Sequence, residues 1–253
     1  MINVLLNGCN GKMGQVITRL AQDQDQLQIA AGFDVNDNIK NTYPVFTNPS
    51  QCDVKVDVII DFSHPSALES LLQFATSRKI PIVVATTGLS QGQINSLGTA
   101  AKTIPVFFSA NMSLGVNLLI DLVKKAAKVL EANFDIEIIE KHHNQKIDAP
   151  SGTALAIADA INSALETKQE YIYDRHSRRK KRSKTEIGIH AVRGGTIVGD
   201  HSVIFAGNDE IIEINHTATS KEIFGVGSLR AARFLYNKKP GLYNMNDLIA
   251  SEQ

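Results

Sequence analysis

The first 34 residues constrain this chain more than any other stretch. Residues 2–6 form a β-branched and leucine run that ends near a glycine, and residues 13–21 carry Met13, Val16, Ile17 and Leu20 at helical spacing. Between them lies Gly8-Cys9-Asn10-Gly11-Lys12-Met13-Gly14. A strand that turns at once into a helix needs glycine for physical reasons. Gly8 allows the tight exit, Gly11 lets backbone approach an anion, and Gly14 permits close helix-on-strand packing. The helix N-terminus then offers free N–H groups and the positive end of its dipole. A second strand, residues 27–33, ends at Asp34, where an acid holds the ribose of an adenine dinucleotide. A glycine triplet alone is also what a bare structural turn uses, and the spacing here is G-x-x-G-x-x-G rather than G-x-G-x-x-G. The strand–helix context and Asp34 favour dinucleotide binding.

Asp34 bears on the choice of dinucleotide. Its carboxylate accepts from both ribose hydroxyls and repels a 2′-phosphate. Val35 follows it, so no adjacent arginine welcomes that phosphate, although Lys12 offers partial compensation. The expectation is NADH and/or NADPH, with NADH used at least as well.

Solidly apolar runs at 56–61, 80–85 and 104–108 continue the strand pattern, with a helical stretch at 66–77. Strands buried on both faces and alternating with helices imply right-handed crossovers and a parallel, doubly wound sheet. Two more segments then fall at strand C-termini, where open α/β sheets bind ligands: Asp61-Phe62-Ser63-His64-Pro65 and Thr86-Thr87-Gly88. Phe62 reads equally as a core residue.

The pattern changes after Asn111. A long amphipathic helix over 114–130 leads to an alternating strand at 134–141, and an Ala-rich helix follows over 151–166. Strand-like runs at 185–192, 196–205 and 210–217 come next, with turns at Gly194-Gly195 and Gly207-Asn208. Consecutive strands indicate a mixed or antiparallel sheet. The expected fold class is α/β, an N-terminal doubly wound Rossmann-type sheet plus a C-terminal α+β domain. A last helix over 226–236 is expected to return to the first domain. The expected division is therefore 1–112 with 225–253, and 113–224.

Lys plus Arg and Asp plus Glu balance at 26 each, which argues against a dedicated nucleic-acid binder. Residues 175–184 hold seven Arg or Lys in ten. That run reads as a nucleic-acid patch, as a solvated loop, or as a source of positive potential for an anionic substrate, and the neutral total favours the loop. No apolar run approaches the roughly 18–20 residues that span a bilayer, and the N-terminus lacks a signal-peptide pattern. Cys9 and Cys52 do not make a disulfide framework, so reduced thiols and a cytoplasmic location are expected. Cys9 reads as a small residue filling a tight turn, with a reactive thiol as the alternative.

The densest polar cluster is residues 140–153, Glu-Lys-His-His-Asn-Gln-Lys-Ile-Asp-Ala-Pro-Ser-Gly-Thr. Paired histidines and a lysine just after a strand suit anion binding and proton movement. Ser151 reads as an N-cap, and the free N–H groups behind it form a cradle for a carboxylate. His142-His143 with no third ligand at suitable spacing is a poor zinc site, and no metal is expected. The plain alternative is a pair of surface histidines beside a structural cap.

The run from Glu140 to Ala154 resembles the signature of the dihydrodipicolinate reductase family. The likeness extends, in order, over G-C-N-G-K-M-G, D-F-S-H-P, T-T-G, Ser109-Ala110-Asn111-Met112-Ser113-Leu114-Gly115-Val116-Asn117, Ala191-Val192-Arg193-Gly194-Gly195 and Gly227-Ser228-Leu229-Arg230-Ala231-Ala232. It implies a nicotinamide-dependent reductase of the diaminopimelate route to lysine, acting on a cyclic dicarboxylic imine with loss of water. It implies His142 as the catalytic histidine and Lys146 as the proton donor. His143, Lys146, Ser151, Gly152 and Thr153 stand at substrate positions. Gly8, Lys12, Met13, Asp34, Thr86, Thr87, Gly88, Ala110, Asn111 and Met112 stand at cofactor positions, and Phe62, Ala85 and Ser109 lie in the same segments. A homotetramer built through the C-terminal sheet is implied, with hinges near residues 112–114 and before the last helix. Two departures are Ala85, where the family often has glycine, and Val35, where members that use NADPH strongly often have a basic residue. The readings that compete are another two-domain dehydrogenase of this fold and a non-catalytic NAD(H)-binding sensor. An aldehyde dehydrogenase would need a cysteine in the second domain, and both cysteines lie in the first.

Overall fold

The structure is a computed structural model and describes residues 1–252. In chain order its elements begin with β1 (Ile2–Asn7), α1 (Lys12–Gln22), β2 (Leu27–Phe33), β3 (Val45–Phe46), β4 (Val58–Asp61), α2 (Leu68–Arg78), β5 (Ile82–Val84), α3 (Gln91–Ala100) and β6 (Pro105–Phe108). They continue with α4 (Leu114–Leu130), β7 (Asp135–His142), α5 (Gly152–Ala164), β8 (Glu170–Ile172), β9 (Glu186–Arg193), β10 (Gly199–Ala206) and β11 (Ile211–Ala218). The last are α6 (Glu222–Leu235), β12 (Gly241–Tyr243) and α7 (Met245–Ser251). The chain divides into two units, Met1–Leu114 with Glu222–Gln253, and Gly115–Lys221.

The first unit holds a seven-stranded sheet in the order β12-β6-β5-β4-β1-β2-β3. Every pairing in it is parallel. Its central strands are mostly apolar because both faces are covered. Val4, Leu6, Ile60, Val83 and Phe107 face a core with Ile17 of α1 and Leu229, Ala232 and Leu235 of α6. Leu5, Ile59, Ile82 and Val84 point the other way, onto Leu68, Leu71 and Ala75 of α2 and Leu97 of α3. Helix α6 packs on α1 and over β4, β5 and β6. The chain runs outward from β1 to β3 and then restarts at β4 on the other side of β1. That reversal makes a topological switch point, and the crevice outside the strand C-termini lies there.

The second unit holds a five-stranded sheet in the order β11-β10-β7-β9-β8. It is mixed: β10 is antiparallel to β7 and β11, while β9 is parallel to β7 and β8. Strand β7 alternates half-buried and buried residues along its length. Its buried face meets Leu119, Val123 and Ala127 of α4 and Ile157, Ala158 and Ile161 of α5.

Parallel strand–helix alternation followed by a mixed sheet is what the sequence pattern predicts. That pattern leaves helices α3 and α7 unassigned, yet each opens with a capping box, Ser90 with Gln93 and Asn244 with Asp247, a signal readable from sequence. Strands β3, β8 and β12 are two or three residues long, too short for periodicity to reveal.

Gly227 in α6 is required by contact. A Cβ there would lie 1.7 Å from the Met112 carbonyl oxygen. Gly98 in α3 has nothing within 4 Å of that position. Gly227→Ala is expected to destabilise the protein by about 1–3 kcal/mol, whereas Gly98→Ala stabilises it by roughly 0.5–1 kcal/mol through helix propensity. Equilibrium urea unfolding of the two variants checks both signs.

Candidate functional site

The glycine loop forms one wall of a crevice at the switch point. Gly8 has φ +80°, and a Cβ there would sit 2.4 Å from the Phe62 carbonyl oxygen. Gly14 brings α1 onto the loop, where a Cβ would lie 2.2 Å from the Gly8 carbonyl oxygen. Gly11 is the N-cap of α1, with no capping side-chain hydrogen bond and no acid in the first turn. The first N–H groups of α1 are therefore left for an anion. A cavity of about 670 Å³ opens here, lined by Gly8, Gly11, Asp34, Val35, Phe62 and His64 among others. Among the described residues its lining includes one acid, Asp34, and neither lysine nor arginine.

Asp34 is oriented by backbone. Its Oδ2 accepts from the Asn10 N–H at 2.9 Å and its Oδ1 from the Asn36 N–H at 3.2 Å. The Asn10 amide donates to the Asn36 carbonyl and accepts from Asn41 Nδ2. The glycine loop and Asp34 are thus one hydrogen-bonded unit. Lys12 and Met13 lie in the first turn of α1, exposed and half-buried respectively. Cys9 is fully buried, and its thiol fills the space over Gly32, where a Cβ would meet Sγ at 2.5 Å. Burial, reinforced by Asp34, pushes this thiol up to about 12. It is a packing residue, and the reactive-thiol alternative is set aside.

A polar network that sequence reasoning missed supports the same crevice. Asp61, 0% exposed, accepts from Asn7 Nδ2 at 2.7 Å, Ser63 Oγ at 2.6 Å and Thr86 Oγ1 at 2.7 Å. Burial pushes its carboxyl up, against the pull of those hydrogen bonds. The network joins the C-terminal ends of β1 and β4 to the segment after β5, and Ser63 N–H donates to Thr86 Oγ1. Ala85 is buried and its N–H donates to the Asp61 carbonyl, while Thr87 and Gly88 are exposed, with Gly88 at φ +76°. After β6, Ser109 Oγ donates to the Asn111 carbonyl and Asn111 Oδ1 accepts from the Ser113 N–H. Ala110 is exposed and Met112 buried. Among the described residues, the lining of the cavity takes in Gly8, Asp34 and Phe62 but not residues 85–88 or 109–112.

In the second unit the sequence cluster gathers around Glu140. Residues 136, 138, 140 and 142 share the buried face of β7, so Glu140 and His142 point the same way. Glu140 is 0% exposed. Its Oε2 accepts from Arg193 Nη1 at 2.8 Å and from His142 Nδ1 at 2.6 Å. Its Oε1 accepts from Arg193 Nη2 at 2.7 Å and from the Ser151 N–H at 2.9 Å. Burial alone would raise this carboxyl; Arg193, His142 and the Ser151 N–H outweigh it and hold it below the usual range. Ser151 caps α5, its hydroxyl accepting from the Ala154 N–H and meeting His201 Nε2, both at 3.1 Å. Burial, with the nearby His142, lowers His201 to about 4. His201 Nδ1 is buried without a hydrogen-bond partner.

Lys146 Nζ pairs with Asp148 at 2.8 Å, and both side chains keep solvent access. The Lys146 N–H donates to the His143 carbonyl, which turns the loop after β7. His143 is half-buried, Gly152 exposed and Thr153 half-buried in the first turn of α5. The structure thus brings together His142, Ser151 and the Glu140–Arg193 pair and sets Lys146 on the loop they anchor. Glu140 and Arg193 were not singled out from sequence. The available signal was an acid at an inward position of an alternating strand, where it must have a partner.

Three of the seven basic residues in the run, Arg175, Arg178 and Arg182, are held in internal ion pairs. Arg175 pairs with Glu137 at 2.7 Å and Glu186 at 3.0 Å, and Arg182 with Asp135 at 2.8 Å and Glu137 at 3.1 Å. Arg178 pairs with Glu170 at 2.7 Å.

A parallel sheet with a glycine-loop crevice, joined to a unit bearing a histidine–lysine cluster, defines a two-unit oxidoreductase of the NAD(P)H-binding class. The description "Dihydrodipicolinate reductase, N-terminus" matches residues 2–112, and "Dihydrodipicolinate reductase, C-terminus" matches residues 115–249. The chain is 55% identical over 249 residues to 4-hydroxy-tetrahydrodipicolinate reductase of Caldanaerobacter subterraneus, covering 98% of each chain. It is 51% identical over 251 residues to the Clostridium tetani enzyme of the same name, covering 99% of this chain and 98% of that one. A dipicolinate-bound dihydrodipicolinate reductase from Paenisporosarcina sp. has the same fold, with TM-score 0.84 and 24% identity over 97% of this chain and 99% of that one. The chain belongs to the dihydrodipicolinate reductase family. Among the described residues no helix is long and apolar enough to cross a membrane.

His201 gives a pH signature. Its folded value of about 4 lies below the ordinary 6.5, so the unfolded chain binds a proton in that window that the folded chain refuses. Its contribution to stability is complete above about pH 6.5 and is lost as pH falls toward 4. Thermal melts across this window should show a shallower loss of stability for His201→Gln than for the wild type.

Proposed function

We propose that this chain reduces 4-hydroxy-tetrahydrodipicolinate to tetrahydrodipicolinate, with loss of water, in the diaminopimelate route to lysine. The observation that carries the reading is the Glu140-anchored cluster of His142, Lys146 and Ser151 at the N-terminus of α5, in a chain whose relatives bear the name of that reaction.

The first-unit crevice fits a dinucleotide. Gly8 and Gly11 with the uncapped α1 suit the pyrophosphate, Asp34 the adenosine ribose, and Thr86 to Gly88 with Ser109 to Met112 the nicotinamide end. Bound NADH or NADPH supplies a hydride to the conjugated imine. The chain's own residues deal with the charge and the proton. Lys146 stabilises the electron-rich nitrogen and carbon framework with its ammonium and donates the proton. His142, oriented through Nδ1, assists that transfer. His143, Ser151, Gly152 and Thr153 hold the ring carboxylates at the α5 N-terminus, where N–H groups and the helix dipole favour anions. Asp148 occupies Lys146 until a substrate carboxylate replaces it. The partner is a small cyclic dicarboxylate, and the assembly is a homotetramer.

Asp34, Val35 and a cavity lining that, among the described residues, includes no lysine or arginine support NADH. A 2′-phosphate brought beside Asp34 meets repulsion with no arginine to offset it. Steady-state kinetics are expected to give kcat/KM for NADH at least equal to that for NADPH.

Lys146→Ala is expected to lower kcat by about 10²-fold or more, the scale of a general acid. The assay is loss of absorbance at 340 nm on mixing NADH with freshly made synthase product. Unchanged turnover removes Lys146 from the mechanism. NADH binding without oxidation by the wild type would instead favour a sensor.

A further inference from the structure

Strand β7 carries a carboxylate at the end of a buried face that is otherwise apolar up to residue 138. Ile136 and Ile138 precede it on that face with Phe205 and Val203 opposite them, while His201 stands opposite residue 140. An apolar residue at 140 would pack there without desolvating a charge. Instead Glu140 is fully buried, and its carboxylate accepts four hydrogen bonds, two on each oxygen. That uses the whole acceptor capacity of the group.

Each donor lies at the end of an element. His142 is the last residue of β7, Arg193 the last of β9, and Ser151 the N-cap of α5. The parallel register sets Arg193 opposite His142, and strand alternation sets Glu140 two residues behind it on the same face. Arg193 Nη2 also donates to the Asp148 carbonyl at 2.6 Å, so the pair grips the far end of the loop that carries Lys146. Across the sheet, Gly199 makes room for the imidazole: a Cβ there would stand 3.0 Å from His142 Nε2. The carboxylate accepts only, so His142 Nδ1 carries the hydrogen and Nε2 is the nitrogen left for exchange.

We propose that Glu140 and Arg193 are a positioning pair for the chemistry assigned above to His142 and Lys146. Glu140 fixes the His142 tautomer and orientation, and Arg193 locks Glu140 while tying down the Lys146 loop. The inference rests on that reading of His142 and Lys146. The fixed orientation follows the general behaviour of histidines whose second nitrogen is held by a carboxylate. The charged and titratable groups around His142 are Glu140 on its own strand, Arg193 on β9, His201 on β10 with its ring centroid 5.3 Å away, His216 beyond it on β11, and Lys146 with Asp148 on the loop. Among them Glu140 alone touches the ring nitrogen with a negative charge.

The test uses the full-length enzyme with NADH and synthase product. Glu140→Gln is expected to lower kcat by about 10- to 100-fold, the scale for losing a partner that orients a histidine, with a smaller change in substrate KM. In the wild type, nitrogen-15 NMR of His142 is expected to show the hydrogen on Nδ1 in the neutral ring, and in Glu140→Gln a mixture of tautomers. A kcat for Glu140→Gln within about two-fold of wild type overturns the proposal. So does a wild-type His142 carrying its hydrogen on Nε2, a result that needs no variant to fold. If the wild type oxidises no NADH, the reductase reading fails, and the NMR measurement still decides the pairing by itself.

Discussion

Burying a carboxylate is costly unless hydrogen bonds and charge meet it on every side, and each unit of this chain buries one at the C-terminal end of a strand. Asp61 closes β4 and Glu140 lies two residues before the end of β7. The surroundings treat them differently. Asp61 meets neutral donors, Asn7, Ser63 and Thr86, and burial pushes its carboxyl upward. Glu140 meets a guanidinium, an imidazole and a backbone N–H, and stays ionised more readily than a free glutamate. In both cases the carboxylate ties together loops that follow separate strands. In each unit one buried acid cross-links the ends of neighbouring elements.

Charge is used the same way along the outer part of the second sheet. Glu137 lies on the face of β7 opposite Glu140 and accepts from Arg175, Arg182 and His190. Burial would raise its carboxyl, but His190 and the two arginines hold it down. Arg182 also donates to the carbonyls of Ile136 and Glu186. A run that looks in sequence like a free basic patch is therefore partly a strap across strand ends. The acids that pair with it come from positions 135, 137, 170 and 186.

Much of this was legible beforehand. The parallel sheet follows from solid apolar runs such as Val58 to Ile60 alternating with amphipathic helices. The change to a mixed sheet follows from the consecutive strands after Thr185. The glycine loop announces its own geometry, since only glycine takes the φ of +80° at Gly8 or tolerates the contacts at Gly14. Residues 140–153 stand out by their chemistry. What stayed hidden were partners distant in sequence. Glu140 meets Arg193 across 53 residues and Asn7 meets Asp61 across 54; no periodicity within one segment encodes such pairs. The capping boxes of α3 and α7 were written in the chain but lie in weakly amphipathic or short helices, where apolar spacing gives little signal.

The sequence by itself determined the class of fold, the glycine loop with the acid at 34, and the cluster at 140–153, because each depends on local backbone need or on chemistry concentrated in one stretch. Only the tertiary structure decided which groups support that chemistry. It placed the Cys9 thiol over Gly32, tied Asp34 to the loop through Asn10, and made Glu140 and Arg193 the support of His142. The physical reason is that a buried charge takes its partners from whichever strands the sheet sets beside it, and strand order is a property of the folded chain.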